Sequence, residues 1–201
     1  MVTATNYPSS SEELLELALQ RRLTAKDLAA LPDDGNRYEI IGGQLFVSPS
    51  PTYRHQFVSM KLGNALDAYL TSTNAGTVIA APMDVYLSEH DVVQPDLLVV
   101  LNARTDIIQD RGIAGAPDLV VEIVSPSSAT TDYLRKSKLY ERNGVQEYWI
   151  VDPVAATMSV QRLTDGSFVL EAELDRNDTV RSSLLGDFDL DLSLIFLASQ
   201  E

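Results

Sequence analysis

The chain has 201 residues, 45% hydrophobic and 22% charged, enough for one globular domain with a real core. It contains no cysteine, which excludes disulfides, zinc–thiolate sites and cysteine nucleophiles. A formal net charge of -14 argues against broad affinity for nucleic acid, which needs clustered Lys and Arg, although it suits a divalent cation. No apolar run is long enough for a bilayer and Met1 to Ser10 lacks a signal-peptide pattern, so a cytoplasmic protein with no membrane contact is expected.

In chain order, Ser9 to Leu23 reads as a capped helix, with acids first and arginines last. Thr24 to Leu31 predicts a second, short helix with Thr24 and Asp27 as a capping box. In "RYEIIGGQLFVSPS" a Gly-Gly turn separates two apolar runs, the mark of a hairpin. Thr52 to Leu70 has helical periodicity. Gly76 to Leu87, Asp96 to Leu101 and Asp118 to Val124 read as strands, with Asn102 to Gly115 as a loop. Ser128 to Arg142 predicts a helix ended by "NG", and "VQEYWIVDP" a strand closed by Pro153. Met158 to Leu163 and Phe168 to Leu174 form a hairpin pattern around "TDG". Leu184 to Ala198 is an apolar tail with alternating acids. The order predicts the α/β (α+β) class: a mixed central sheet flanked by helices, with an N-terminal helix and hairpin.

Polar residues break this apolar plan at four places. Asp96 follows Pro95, which favours a strand start or an edge, and read alone it is a strand-end acid in solvent. Glu122 lies inside the apolar run "LVVEIV" and shares a face with Val120 and Val124. A buried carboxylate must be neutral, paired or bound to a cation, so Glu122 is either a structural ion-pair member or a ligand. On a wheel of about 100° per residue Lys136 falls in the apolar arc of Tyr133, Leu139 and Tyr140, with Asp132 beside it. Lys138, Arg135 and Arg142 fall on the solvent side. Lys136 therefore faces the sheet, snorkels past the tyrosines or pairs with Asp132. His55 shares the inward face of Val58, Leu62, Leu66 and Tyr69, either as a satisfied core histidine or as part of a site.

An acid at a strand start, an acid in the next strand and an inward lysine on the following helix can meet at one sheet edge. Asp96 and Glu122 would hold Mg²⁺ or Mn²⁺ through oxygen, and Lys136 would stabilise developing negative charge. That is the chemistry of phosphodiester hydrolysis. "QPDLLVV", "PDLVVEIVSPSS" and "DYLRKSKLYERNGVQEYWIVDP", with "RYEIIGGQL" and "PSPTYRH" upstream, resemble the Uma family of restriction-endonuclease-like proteins, within the PD-(D/E)xK nuclease superfamily. The resemblance runs from about Thr24 to Pro153. It implies a restriction-endonuclease-like core, with Pro95-Asp96 as the "PD" and Glu122 as the second acid. The superfamily's usual lysine position is Val124 here, and the resemblance implies that Lys136 of the next helix replaces it. Glu39 and His55 match further positions near the site, and Gln94, Ser125 and Asp132 are supporting candidates.

The expected function is a Mg²⁺-dependent endonuclease acting on nucleic acid, most simply DNA. The alternative is a non-catalytic binding or assembly protein on a nuclease scaffold. A third reading is a hydrolase of small phosphate compounds. Arg54, Lys61, Arg135, Lys138 and Arg142 are candidates for a local basic rim. One domain over 1–201 is expected: an extension at 1–23, a motif-bearing core at 24–153, and a hairpin and tail at 154–201. The apolar tail must pack on its own domain or on a second subunit, which makes a homodimer an expectation as well.

Overall fold

The structure is a computed structural model describing residues 20–30, 36–48, 50–124 and 130–197, with the backbone alone at 130–132. The expected first helix falls almost wholly outside the described residues. Helix α1 (Ala25–Ala29) starts as its capping box predicts. The Asp27 carboxylate accepts from the Thr24 N–H and the Thr24 hydroxyl, both at 2.8 Å, and from Arg21 at 2.6 and 2.9 Å.

Strands β1 (Arg37–Ile41) and β2 (Gln44–Ser48) form the predicted hairpin. Gly42 and Gly43 have φ of +61° and +80°, the left-handed values that a two-residue turn requires. A Cβ on Gly43 would lie 2.7 Å from the Arg22 Cβ, so the turn and the close approach both need glycine. Helix α2 (Tyr53–Thr73) is capped by the Thr52 hydroxyl, which accepts from the His55 N–H. It buries His55, Val58, Leu62, Leu66 and Leu70, the face its periodicity picks out.

The remaining elements are β3 (Gly76–Ala80), β4 (Val85–Ser88), β5 (Asp91–Val93), β6 (Leu97–Leu101), β7 (Ile108–Gln109), β8 (Gly112–Ile113), β9 (Leu119–Ile123), α3 (Thr130–Arg142), β10 (Glu147–Asp152), β11 (Thr157–Thr164), β12 (Ser167–Asp175), β13 (Thr179–Arg181) and β14 (Asp189–Asp191). The main sheet has the order β12-β11-β10-β9-β6-β3. Only β9 and β10 pair in parallel within it, and α3 is the crossover that such a pair needs. A second six-stranded sheet runs β2-β1-β5-β4-β8-β7.

The fold is the α/β class with a mixed central sheet, with three differences from the sequence reading. The expected strand Gly76 to Leu87 is two strands in different sheets. Pro82 cannot donate to a ladder, and the Ala81 N–H bonds the Asp96 carbonyl at 3.0 Å, so pairing stops there. The expected loop Asn102 to Gly115 holds a 3-10 segment (Asn102–Ile107) and the two-residue strands β7 and β8, too short to show a period. Finally, a second sheet joins the helices that flank the main one. Helix α2 and the C-terminal segment cover one face, through Leu66, Val121, Trp149 and Phe188. The other is covered by α3 together with the second sheet, through Tyr140, Val120, Val93 and Ile41.

Candidate active site

Strand β9 alternates across the main sheet. Leu119, Val121 and Ile123 enter the α2-side core and Val120 the opposite one, so Glu122 points toward α3 and the second sheet. On α3, Leu139 and Tyr140 are fully buried and Lys138 is exposed, as the wheel predicts. Lys136 faces inward with them. Its Nζ donates to Glu122 Oε1 at 3.0 Å and Oε2 at 3.1 Å, and to Glu39 Oε1 at 2.9 Å. The Tyr140 hydroxyl donates to Glu122 Oε1 at 2.6 Å.

Glu39 comes from β1 in the second sheet. Its Oε1 also accepts the Gln94 N–H at 2.8 Å, one residue past β5. The β6–β9 ladder pairs Leu97 with Val121, so one step further brings Asp96 alongside Glu122 and Ile123. Asp96 Oδ2 accepts the Ile123 N–H at 2.8 Å and meets His55 Nε2 at 3.1 Å, while Oδ1 accepts from Arg37 at 3.3 Å. Arg37 also donates to the Gln94 carbonyl at 2.7 Å, and the Gln94 amide donates to Asp84 at 2.8 Å.

Asp96, Glu122, Lys136, Glu39, His55 and Gln94 are thus brought together at one end of the main sheet. Asp96 is not a solvent acid, as its strand-end position alone suggests: it is 6% exposed, because α2 reaches it from one face and β1 from the other. Ser125 lies outside the described residues, as does the side chain of Asp132, so the expected Asp132–Lys136 pair does too. Arg37, Tyr140 and Asp84 join the cluster without having been singled out from the sequence. Arg37 precedes Glu39 by two on the same β1 face, and Tyr140 follows Lys136 by four, so both had a periodic signal. Asp84, in the connection between β3 and β4, had none.

Burial pushes the Glu122 carboxyl up to about 7, with Lys136 and Tyr140 opposing the rise and the charges of Asp96 and Glu39 adding to it. Burial also works against the Asp96 carboxylate, but His55, the Ile123 N–H and Arg37 hold it below the usual carboxylate range. For Lys136, burial is outweighed by Glu122 and Glu39, which keep the ammonium charged.

Among the described residues, four buried side-chain polar atoms have no hydrogen-bond partner: Arg37 Nε, His55 Nδ1, Gln94 Oε1 and the Tyr148 hydroxyl. Three belong to this cluster, and Tyr148 packs its ring 5.2 Å from Tyr140. Buried polar atoms are rarely left unpaired, and their concentration here marks a place where a ligand's polar atoms would complete the set. No three His, Asp or Glu side chains among the described residues form a ready metal cage. The donors nevertheless fit a hard cation: they are carboxylate oxygens, and the Lys136 ammonium already stands among three of them as a cation does. Of the candidate basic rim, Arg142 donates to Asp91 at 2.8 Å and Arg135 lies 4.4 Å over the Phe46 ring. Lys61 sits 5.6 Å from the Phe57 ring centre, Lys138 is exposed and Arg54 is half-buried.

A mixed sheet with acids on adjoining strands, met by a lysine from the crossover helix, defines a restriction-endonuclease-like protein. The chain belongs to the Uma2 family, whose model, described as "Putative restriction endonuclease", matches residues 25–193. A solved structure with the same fold is described as a "putative nuclease belonging to DUF820 from Anabaena variabilis ATCC 29413". It aligns with a TM-score of 0.73 at 21% identity, over 87% of this chain and 97% of that one. No curated protein sequence gives a match.

Proposed function

We propose that this chain is a Mg²⁺-dependent endonuclease that hydrolyses phosphodiester bonds in DNA, with Asp96, Glu122 and Lys136 as its catalytic residues. The observation that carries the reading is the position of Lys136. A helix lysine reaches the acid of the neighbouring strand at 3.0 Å, beside a second acid whose backbone partner is that same strand. Membership of the Uma2 family and the nuclease-like fold support it.

Asp96 and Glu122 would hold Mg²⁺ or Mn²⁺, which supplies a bound water of lowered pKa and neutralises phosphate charge. Tyr140 holds Glu122 in one orientation through its short hydrogen bond. His55 and Arg37 do the same for Asp96, and the N–H of Gln94, the residue before Pro95, holds Glu39 of β1. The Lys136 ammonium supplies positive charge where a phosphate gains negative charge. With a net charge of -14, productive binding of DNA rests on local cations such as Lys61 and Lys138, and it weakens steeply with salt.

The test is cleavage of supercoiled plasmid with Mg²⁺ or Mn²⁺ by the parent, Asp96→Ala and Lys136→Ala. The expected result is metal-dependent nicking, reduced about a hundredfold or more in each variant. Failure of folded parent protein to cut, with either metal, would overturn it. The internal pairing of Glu122 and Glu39 by Lys136 favours a second reading, a non-catalytic binding protein on this scaffold, and that same failure would support it. Two copies would suit cleavage of two strands, although the apolar tail packs within its own chain.

A further inference from the structure

Lys136 does more than lie near the acids. Both Glu122 oxygens face its ammonium, at 3.0 and 3.1 Å, and a third carboxylate oxygen, Glu39 Oε1, stands at 2.9 Å. The Tyr140 hydroxyl takes a further lone pair of Glu122 Oε1. A carboxylate offers about four lone-pair directions, so Lys136 and Tyr140 together occupy three. The side on which Glu122 could chelate a cation is the side the ammonium fills. A divalent ion, about 2.0–2.1 Å from its oxygens for Mg²⁺, and an ammonium cannot share it.

Resting on the nuclease reading above, we propose that Lys136 is a resident cation, exchanged for the divalent ion at Glu122. Lys136 pairs with both Glu122 and Glu39 while the site is metal-free, and its single charge offsets one of the two, which lowers the cost of burying like charges side by side. On metal binding it releases Glu122 and keeps Glu39, so that its ammonium turns toward the phosphate. Glu39 is then a positioning residue for the lysine rather than a third ligand. Its Oε1 is also anchored by the Gln94 N–H, which suits a fixed pivot. Metal binding and the lysine's availability become one event, and the lysine that serves the chemistry weakens the binding of the metal.

The test compares Mn²⁺ affinity by calorimetry in the parent, Lys136→Met, Glu122→Gln and Glu39→Gln, without substrate. Lys136→Met is expected to bind Mn²⁺ about tenfold tighter or more, since a unit charge a few ångströms away is removed, although it should cut nothing. Glu122→Gln is expected to lose affinity. Glu39→Gln is expected to lower kcat without losing affinity. Should Lys136→Met fold poorly, the parent decides: with ¹⁵N-labelled lysine, the Lys136 Nζ signal should move on adding Mg²⁺ while those of Lys26, Lys61 and Lys138 stay. Unchanged or weaker Mn²⁺ binding by Lys136→Met, or an unmoved Nζ signal in parent protein that does bind metal, overturns the exchange and leaves the nuclease reading standing. Mn²⁺ affinity lost in Glu39→Gln as in Glu122→Gln makes Glu39 a ligand and overturns the pivot. A parent that neither binds Mn²⁺ nor cuts plasmid overturns the nuclease reading, and the exchange with it.

Discussion

At the scale of single residues, Glu122 shows how a carboxylate persists in a core strand. It is buried, yet it has Lys136 on both oxygens and Tyr140 on one. Removing one partner of a buried set costs more than the pair contributes, because the other is left unpaired. Tyr140→Phe should therefore lower stability by about 1–3 kcal/mol, read as a shift of the urea midpoint, and should slow plasmid cleavage as Glu122 loses its fixed orientation. An unshifted midpoint would mean that Lys136 alone holds the carboxylate. The inward face of Lys136 was legible in the helical period, which set it apart from Lys138 two residues later. Of its two described partners, Glu122 follows from the expected meeting at one sheet edge, whereas the wheel offered Asp132 one turn back and gave no sign of Glu39, 97 positions away.

At the scale of elements, Asp91 joins parts that sequence reading leaves separate. Its carboxylate accepts the Gly42 N–H of the first hairpin turn at 2.7 Å, the Ser88 hydroxyl at 2.7 Å and Arg142 at the end of α3 at 2.8 Å. Burial works against its charge, but these three donors prevail and hold the carboxyl below its ordinary value near 3.8. With the folded value depressed, the stabilisation is complete above that ordinary value and is lost as pH falls through the folded one. Asp91→Asn should cost about 1–3 kcal/mol at neutral pH, and the gap from the parent should narrow in urea melts near pH 3. A gap independent of pH would show that the charge contributes nothing. The two-residue strands β7 and β8 and the three-residue β5 stayed hidden in the sequence because a period of two needs more residues to show. The Gly-Gly and Asp-Gly hairpins were plain because turn chemistry is local.

At the scale of the whole molecule, the C-terminal segment settles where its own apolar residues go. Leu185, Phe188, Leu192, Ile195 and Phe196 complete the α2-side core. Phe188 lies edge-on to Tyr69 at 5.3 Å and 6.0 Å from Trp149, while the Tyr69 hydroxyl donates to the Leu185 carbonyl. Phe188→Ala should cost about 3–5 kcal/mol, measured by thermal or urea unfolding. A cost under about 1 kcal/mol would mean that the segment lies on the core without sealing it. No helix among the described residues is long and apolar enough to cross a membrane.

The sequence by itself determined what local chemistry encodes: the capping box at Thr24, the turn glycines, the face of α2 that carries His55, the face of α3 that carries Lys136, and a carboxylate inside β9. Each follows from a period or a cap within one element. Only the tertiary structure decided that a second sheet covers the α3 side and that Glu39 crosses from it to meet Lys136. It also decided that Asp96, a strand-end acid by position, is buried between His55 and Arg37. Those outcomes depend on which faces pack together over long separations, and no single element's pattern carries that information.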